Sequence, residues 1–287
     1  MPNNPAVTGF YHEESGSIAY VVADPATGHA AIIDPVLDFD EKAGRISTGS
    51  ADAILQYVRD NNLSVDWIFD THPHADHFSA AAYLKDKTGA PAAIGKNIGA
   101  VQALWKAIYN LPDFPADGSQ WDRLFADGDT MTIGSLRGRA MFSPGHTLAS
   151  VTYIFGDAAF IHDTLFQPDT GSARCDFPGG SAGALYDSIT AILALPDQTR
   201  LFTGHDYKQG GRAARWESTV AEQKKSNIQF KSKPEREAYV ALRNARDKTL
   251  PMPRLILHAL QFNMRGGRLP PPESNGRSYL KIPIGAL

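Results

Sequence analysis

Short apolar runs alternate with stretches of helical periodicity along the first half of the chain. A short run bounded by turn residues predicts a strand, and apolar residues that recur every three or four positions predict a helix. Two such runs flank the DPATG turn at residues 24–28, which predicts a β-hairpin. The predicted strands are 18–23, 30–33 and 65–69, and the predicted helices are 51–61, 80–87 and 97–110.

The second half contains closely spaced apolar runs, which indicate antiparallel strands. Residues 111–120, before these runs, are rich in Pro and Gly and predict a long loop. Two halves of this kind predict an α+β fold in which two sheets pack face to face with helices outside. A charged tail at about 212–248 predicts further helix, and the rest of the chain is predicted to be irregular. The predicted strands of this half are 130–133, 139–142, 151–155, 158–161 and 200–203, with a helix at 184–195.

The composition narrows the class of protein. With 287 residues, of which 43% are hydrophobic and 21% charged, the chain is expected to form one globular domain with a helical C-terminal extension at about 212–287. A net charge of −3 argues against a broad surface for nucleic acid. The first five residues do not resemble a secretory signal, and no apolar run approaches the roughly 20 residues of a membrane span. We therefore expect a cytoplasmic protein that binds neither nucleic acid nor membrane.

The balance of Cys and His limits the metal chemistry that the chain can support. A single Cys among 287 residues excludes an internal disulfide, and it excludes thiolate-based zinc or iron–sulfur sites within one chain. Nine His are present, however. Any bound metal must therefore be held by imidazole and carboxylate groups.

His and Asp side chains follow the ends of four predicted strands. Strand ends are places where a rigid scaffold can bring side chains together. Crowding so many titratable groups is unfavourable unless something binds them, and this donor set suits Zn²⁺, Fe²⁺ or Mn²⁺. The candidate metal-site residues are the H-x-H-x-D-H motif of His72, His74, Asp76 and His77, together with His146, Asp163 and His205. The other histidines are predicted to be structural: His12, His29, His162 and His258.

This arrangement of motifs resembles the metallo-β-lactamase superfamily over roughly residues 10–270. The resemblance implies an αβ/βα sandwich of two mixed sheets with outer helices and a metal at one edge. Four segments are similar to the persulfide dioxygenases (sulfur dioxygenases) and their β-lactamase-like hydrolase relatives: THPHADH at 71–77, RCDF at 174–177, HDY at 205–207 and FNMRGG at 262–267.

Three features depart from the pattern of that group. His162 stands where the family usually has Gly, and Cys175 stands where it usually has Thr. Residues of about 95–125 look like an insertion, which would cover the sheet, reshape the substrate entrance or form a subunit contact. Cys175 is interpreted as a small buried residue, and the alternative is a persulfide acceptor activated by the neighbouring Arg174.

The first functional hypothesis that the resemblance implies is a mononuclear iron dioxygenase. His72, His146 and Asp163 would bind one Fe(II) per chain as a facial triad, and zinc is the other metal that these ligands accept. Glutathione persulfide and O₂ would be the substrates, with sulfite and glutathione as products, in sulfide detoxification. The remaining motif residues, His74, Asp76, His77 and His205, would orient the triad. The predicted substrate-binding residues are Arg174 and Arg265, as partners of glutathione carboxylates, and Tyr207.

The second hypothesis is a binuclear hydrolase similar to hydroxyacylglutathione hydrolase (glyoxalase II). Two metals bridged by Asp163 would generate a hydroxide that attacks a thioester. One metal would be bound by His72, His74 and His146, and the other by Asp76, His77 and His205. The ligand inventory does not decide between the two, but the NMRGG segment favours the dioxygenase. A non-catalytic module that kept the fold is a third hypothesis, which the intact ligand set opposes. A homodimer is a further implication of the resemblance.

Overall fold

The computed structural model describes residues 4–287. Residues 1–3, which belong to the segment considered for a secretory signal, lie outside the described residues. The strands β1–β15 are Ala6–Tyr11, Ile18–Ala23, His29–Ile33, Val36–Asp40, Arg45–Ser47, Ser64–Phe69, Phe78–Ser79, Ala92–Gly95, Arg123–Phe125, Thr130–Ile133, Leu136–Phe142, Val151–Phe155, Ala158–His162, Arg200–Thr203 and Glu217–Thr219. The helices α1–α7 are Gly49–Asp60, Ala81–Thr88, Ile98–Ile108, Ala182–Leu193, Val220–Ser226, Arg236–Asp247 and Ile256–Asn263, and Gln209–Gly211 forms a 3₁₀ turn.

Two six-stranded mixed sheets form the centre of the fold. The first has the order β1-β2-β3-β6-β8-β9, and the second has the order β10-β11-β12-β13-β14-β15. The first sheet begins antiparallel and becomes parallel from β3 onward, whereas the second is antiparallel except for the β13–β14 pair. A small sheet, β5-β4-β7, lies beside them. The predicted α+β sandwich of two mixed sheets is therefore confirmed.

The packing of β2 shows how the layers are held together. Ile18 and Tyr20 point into the core between the two sheets, while Ala19 and Val21 face the layer that contains α1, α2 and α7. Both faces of the strand are buried, so its sequence is apolar throughout rather than alternating. On the far side, α4, α5 and α6 cover the second sheet. The result is a four-layer arrangement with helices on both outer faces.

The predicted elements of the two halves are largely confirmed, including the hairpin formed by β2 and β3 and the loop at 111–120. The predicted helical tail at about 212–248 is confirmed at α5 and α6 but wrong at β15, which adds a strand to the second sheet, and Pro234 lies between the two helices. The prediction that the chain after this tail is irregular is also wrong, because α7 lies there. That helix lacks a polar face, since six of its eight residues are buried, and so it carries no amphipathic signal.

The segment at 95–125 is built into the first sheet. Helix α3 packs through Val101 and Trp105 into an apolar cluster shared with α7, and β9 pairs in parallel with β8 at the edge of the sheet. No helix among residues 4–287 is long and apolar enough to cross a membrane.

Candidate metal centre

The seven residues predicted at strand ends come together at one edge of the sandwich. The H-x-H-x-D-H segment follows β6, and His146 lies between β11 and β12. Asp163 directly follows β13, and His205 lies two residues after the end of β14. Gly204 allows this close approach, because a Cβ atom there would lie 2.3 Å from Asp163 Oδ1. The histidines of the site and Asp163 are all at most 5% exposed.

His72, His146 and Asp163 form the first candidate group of metal ligands. Their potential ligand atoms all lie within 4.8 Å of one another, and His146 Nε2 is 3.6 Å from Asp163 Oδ2. His72 Nε2 is buried and has no hydrogen-bond partner among residues 4–287. This buried nitrogen has no such partner and faces a second imidazole and a carboxylate. That is the arrangement expected of a metal-binding site.

Hydrogen bonds behind the two imidazoles fix their orientation. His146 Nδ1 donates to the carbonyl of Arg174 at 2.7 Å, and His72 Nδ1 lies 3.0 Å from Thr71 Oγ1, which itself donates to Asp34. With Nδ1 protonated in this way, each Nε2 keeps its lone pair for a metal. Burial lowers the pKa of both imidazoles, which favours the neutral form that can act as a ligand.

His205 is bonded differently from the first group. Its Nδ1 donates to Asp163 Oδ1 at 2.6 Å, and its Nε2 lies 2.9 Å from Asp76 Oδ2. Burial opposes protonation of His205, but the facing carboxylates outweigh it and raise the pKa well above its usual range. Ser17 completes this cluster by donating to Asp76 Oδ2 at 2.7 Å. Asp76 and His205 therefore satisfy one another as an ion pair within the protein.

His74, Asp76 and His77 form a second candidate group, also within 4.8 Å of one another. His74 Nε2 lies 3.0 Å from Asp34 Oδ1, and His77 Nε2 has no hydrogen-bond partner among the described residues. The same edge thus contains donors for a second cation, although Asp76 is already engaged by His205.

The RCDF segment supports His146 from behind. The carbonyl of Arg174 accepts from His146, and the ring of Phe177 lies edge-on to the His146 ring with centroids 5.2 Å apart. The segment is fastened to α6, where Asp247 accepts from the backbone N–H of Cys175 at 2.9 Å. Asp247 is itself bound to Arg243, and both side chains are buried.

A cleft of about 680 Å³ opens beside the metal residues, with Asp76, His146, Asp163 and His205 in its wall. This volume suits a ligand of small-molecule size. Tyr207 lines it with its ring stacked on His205, at a centroid distance of 5.7 Å.

The two arginines predicted to bind substrate have other partners. Arg174 lines the cleft, but its guanidinium binds Asp176 through two hydrogen bonds and the Pro251 carbonyl through a third. Arg265 does not line the cleft and lies over the Phe114 ring at 4.7 Å. The arginines with exposed guanidinium groups in this wall are Arg246 and Arg254, which sequence reasoning did not identify.

Cys175 and His162, the two departures from the family pattern, are both buried. Burial and the nearby Asp247 carboxylate raise the pKa of the Cys175 thiol to about 12. This environment disfavours the thiolate that a persulfide acceptor would need. His162 adopts a left-handed φ of 40°. Its Nε2 shares a hydrogen bond of 2.7 Å with Ser143 Oγ, and its ring lies next to the ring of His72.

Sequence reasoning missed the residues that support the ligands. Asp34 could have been found, because it also follows the end of an apolar strand. Ser17, Asp247 and Asn263 gave no comparable signal, since their partners lie far away along the chain.

A two-sheet sandwich with imidazole and carboxylate donors at one edge defines a class of metal-binding enzymes. The chain belongs to the metallo-beta-lactamase superfamily, whose family model matches residues 14–205. Proteins of this superfamily bind metal ions, and the residue groups described above are candidates in this chain, as is a third buried group of Asp34, Asp70 and His74.

Individual relatives extend the likeness beyond the matched region. The chain is 65% identical to the beta-lactamase hydrolase-like protein of Xylella fastidiosa over 99% of its own length, but it spans only 65% of that relative. It is 44% identical to glyoxylase B2 of Dictyostelium discoideum, over 100% of this chain and 99% of that one. Among solved structures, ETHE1 from Myxococcus xanthus is 31% identical, with a TM-score of 0.75, and the match covers 92% of this chain and 100% of that one.

Proposed function

We propose that the chain is a mononuclear iron dioxygenase that oxidises glutathione persulfide to sulfite and glutathione. His72, His146 and Asp163 would bind one Fe(II). The observation that carries the proposal is the difference between the two groups of donors. Both groups contain a buried nitrogen without a hydrogen-bond partner in the described part of the chain, but their carboxylates differ. Asp163 is bonded by His205 at Oδ1 only, so that its Oδ2 faces His146, whereas Asp76 Oδ2 is already contacted by Ser17, His77 and His205. That arrangement favours one metal over two.

The reaction sets the requirements for the chain's own residues. Glutathione persulfide, O₂ and water give glutathione, sulfite and two protons, with four electrons passing to O₂. When bound, iron supplies the redox chemistry at its open coordination positions. The Arg174 carbonyl and Thr71 hold both imidazoles in the tautomer that binds metal. Protonated His205 holds Asp163 in place and keeps it ionised, since it outweighs the effect of burial and lowers the pKa of that carboxyl.

The cleft is proposed to bind the glutathione moiety. Phe166, Phe177 and Tyr207 provide apolar and aromatic surface next to the metal residues, and Arg246 and Arg254 provide positive charge farther along the wall. Arginine pairs well with carboxylates, of which glutathione has two. Because Arg174 is engaged by Asp176, Arg246 replaces it as the proposed carboxylate partner. Arg254 lies 3.7 Å from Glu41 and 3.9 Å from Glu14, which already offset its charge.

The comparisons give support to each of the two candidates. Similarity to ETHE1 over the full length of that chain favours the persulfide dioxygenase group. Similarity to a beta-lactamase hydrolase-like protein and a glyoxylase favours the second candidate, a binuclear thioester hydrolase. The structural observation that favours the hydrolase is the grouping of His74, Asp76 and His77 within 4.8 Å.

Metal content and substrate turnover distinguish the two candidates. Protein purified without oxygen should contain about one iron per chain by elemental analysis and should consume O₂ when glutathione persulfide is added. Two metals per chain, with fast hydrolysis of a glutathione thioester and no O₂ uptake, would overturn the proposal in favour of the hydrolase.

Two histidine variants sharpen the test. His72→Ala should lose both iron and activity, because it removes a ligand. Under the dioxygenase proposal, His205→Ala should still bind one iron per chain at saturation, though more weakly because Asp163 loses its partner, whereas in a binuclear hydrolase it would remove one of two metals. A protein that keeps its metal without His72 would show that the ligand set is wrong.

A further inference from the structure

The H-x-H-x-D-H segment lacks the backbone hydrogen bonds that would normally hold it in place. Residues 72–77 form neither helix nor strand. Among residues 4–287, no backbone–backbone hydrogen bond involves any of these six residues. Buried backbone groups that carry ligand side chains need partners from elsewhere.

Asn263, the last residue of α7, supplies those partners. Its Nδ2 donates to the carbonyls of His74 and His77 at 2.8 Å each, and its Oδ1 accepts from the backbone N–H of Ser79 at 2.8 Å. The side chain is 2% exposed. A single amide thus makes two bonds to the segment that carries four of the candidate metal-site residues, and a third to Ser79, two residues beyond that segment.

The surroundings of Asn263 hold it against this segment. Phe262 stacks on Phe78 with ring centroids 4.4 Å apart and an angle of 16° between the planes. Gly267 has a φ of +80°, and a Cβ atom there would lie 2.7 Å from the Ser79 carbonyl oxygen. The chain after α7 therefore also passes tightly over the same backbone. These contacts give the FNMRGG segment a structural reason: Asn263 bonds to the metal segment, and Gly267 allows a close approach to the Ser79 backbone just after it.

We propose that Asn263 is a positioning residue for the metal centre. It ties α7, which lies outside residues 14–205, to the carbonyls of His74 and His77 and so fixes the H-x-H-x-D-H side chains around the metal. The inference rests on the proposed metal site. Its consequence is that metal affinity depends on a residue that makes no contact with the metal.

The same helix offers a matched control for this role. Gln261 is also a buried amide, and its Nε2 donates to the carbonyls of Leu257 and Lys281 while its Oε1 accepts from the Lys281 N–H. Asn263→Asp and Gln261→Glu are therefore equivalent changes. Each is close in shape to the native residue, removes two donated hydrogen bonds and keeps the accepted one, but only the first touches the metal segment.

Co²⁺ is a suitable probe, because its dissociation constant and its visible absorption report affinity and coordination geometry separately. Asn263→Asp should raise the dissociation constant by roughly 10- to 100-fold, the range typical of residues that orient metal ligands. The Co²⁺ absorption bands should also shift. Gln261→Glu should leave both unchanged within about twofold, even where it lowers the melting temperature.

A merely structural role for Asn263 would produce a different result. If both variants lower the melting temperature and neither changes Co²⁺ affinity or absorption, or if both change them equally, the inference is overturned. Should Asn263→Asp fail to fold, Asn263→Ala removes all three bonds, including the one accepted from Ser79, without adding charge and carries the same expectation. His72→Ala separates the two proposals: Co²⁺ binding that survives this change refutes the metal site, whereas loss there with no effect at Asn263 refutes the positioning role alone.

Discussion

The buried ion pair between Arg243 and Asp247 is expected to be a main support of the cleft wall. The pair lies within α6, and its side chains are 5% and 2% exposed. Asp247→Ala would leave the Arg243 guanidinium buried without its counter-charge and would also remove the acceptor for the Cys175 backbone N–H. The guanidinium would keep hydrogen bonds to the carbonyl and hydroxyl oxygens of Ser172, neither of which carries a compensating charge.

The expected loss is large for a single substitution. Removing one partner of a buried ion pair costs about 3–5 kcal/mol, because the other charge remains desolvated. Equilibrium unfolding in urea measures this loss. With a slope of about 2–3 kcal/mol per molar, the unfolding midpoint should fall by more than about 1 M without a change in slope.

The same helix provides a control pair. Arg236 binds Asp187 of α4 at 2.9 Å, but these side chains are 46% and 59% exposed. Because exposed pairs contribute only about 0–1 kcal/mol, Asp187→Ala should shift the midpoint very little. Equal effects at Asp187 and Asp247, or a loss at Asp247 below about 1 kcal/mol, would refute the assignment of the buried pair as a support.

Three further predictions concern other parts of the molecule. Burial is the main cause that raises the pKa of the Cys175 thiol to about 12, so this thiol should resist iodoacetamide at pH 8 in the folded protein and react after denaturation. Mass spectrometry measures the labelling, and rapid labelling of the folded protein would contradict this prediction. Gly204→Ala should reduce metal content, since its Cβ would clash with Asp163, whereas Gly49→Ala, where the nearest atom is at 3.6 Å, should bind metal normally. Burial opposes ionisation of Asp24, but hydrogen bonds from Ser135, Ala26 and Thr27 outweigh it and hold the pKa of that carboxyl well below its usual value. The ionised Asp24 carboxylate therefore stabilises the fold above pH about 4, and this stabilisation is lost as the pH falls below that value. The difference in melting temperature between the native protein and Asp24→Asn should shrink in acid. A difference that stays constant with pH would refute the argument.

The sequence was a good guide to the ligand-bearing strand ends and a poor guide to what holds them. His146 and His205 could be recognised because each follows an apolar run, and strand ends of one sheet meet at one edge. The role of Asn263 could not be foreseen, because its partners are 184 to 189 residues away and the helix that carries it has no polar face. Arg174 was a reasonable candidate for substrate by residue type, yet a carboxylate two residues along the chain binds it first.

The bonds from Asn263 also impose an order of events on the newly made chain. His77 and Asn263 are separated by 186 positions. At a synthesis rate of about 5–20 residues per second, the histidine-rich segment exists for roughly 10–40 s before its fastening residue is added. During that interval its imidazoles are present but not yet held in a fixed arrangement. Selective metal capture would therefore belong to the last stage of maturation, when α7 docks, rather than to the stage at which the ligands are first made.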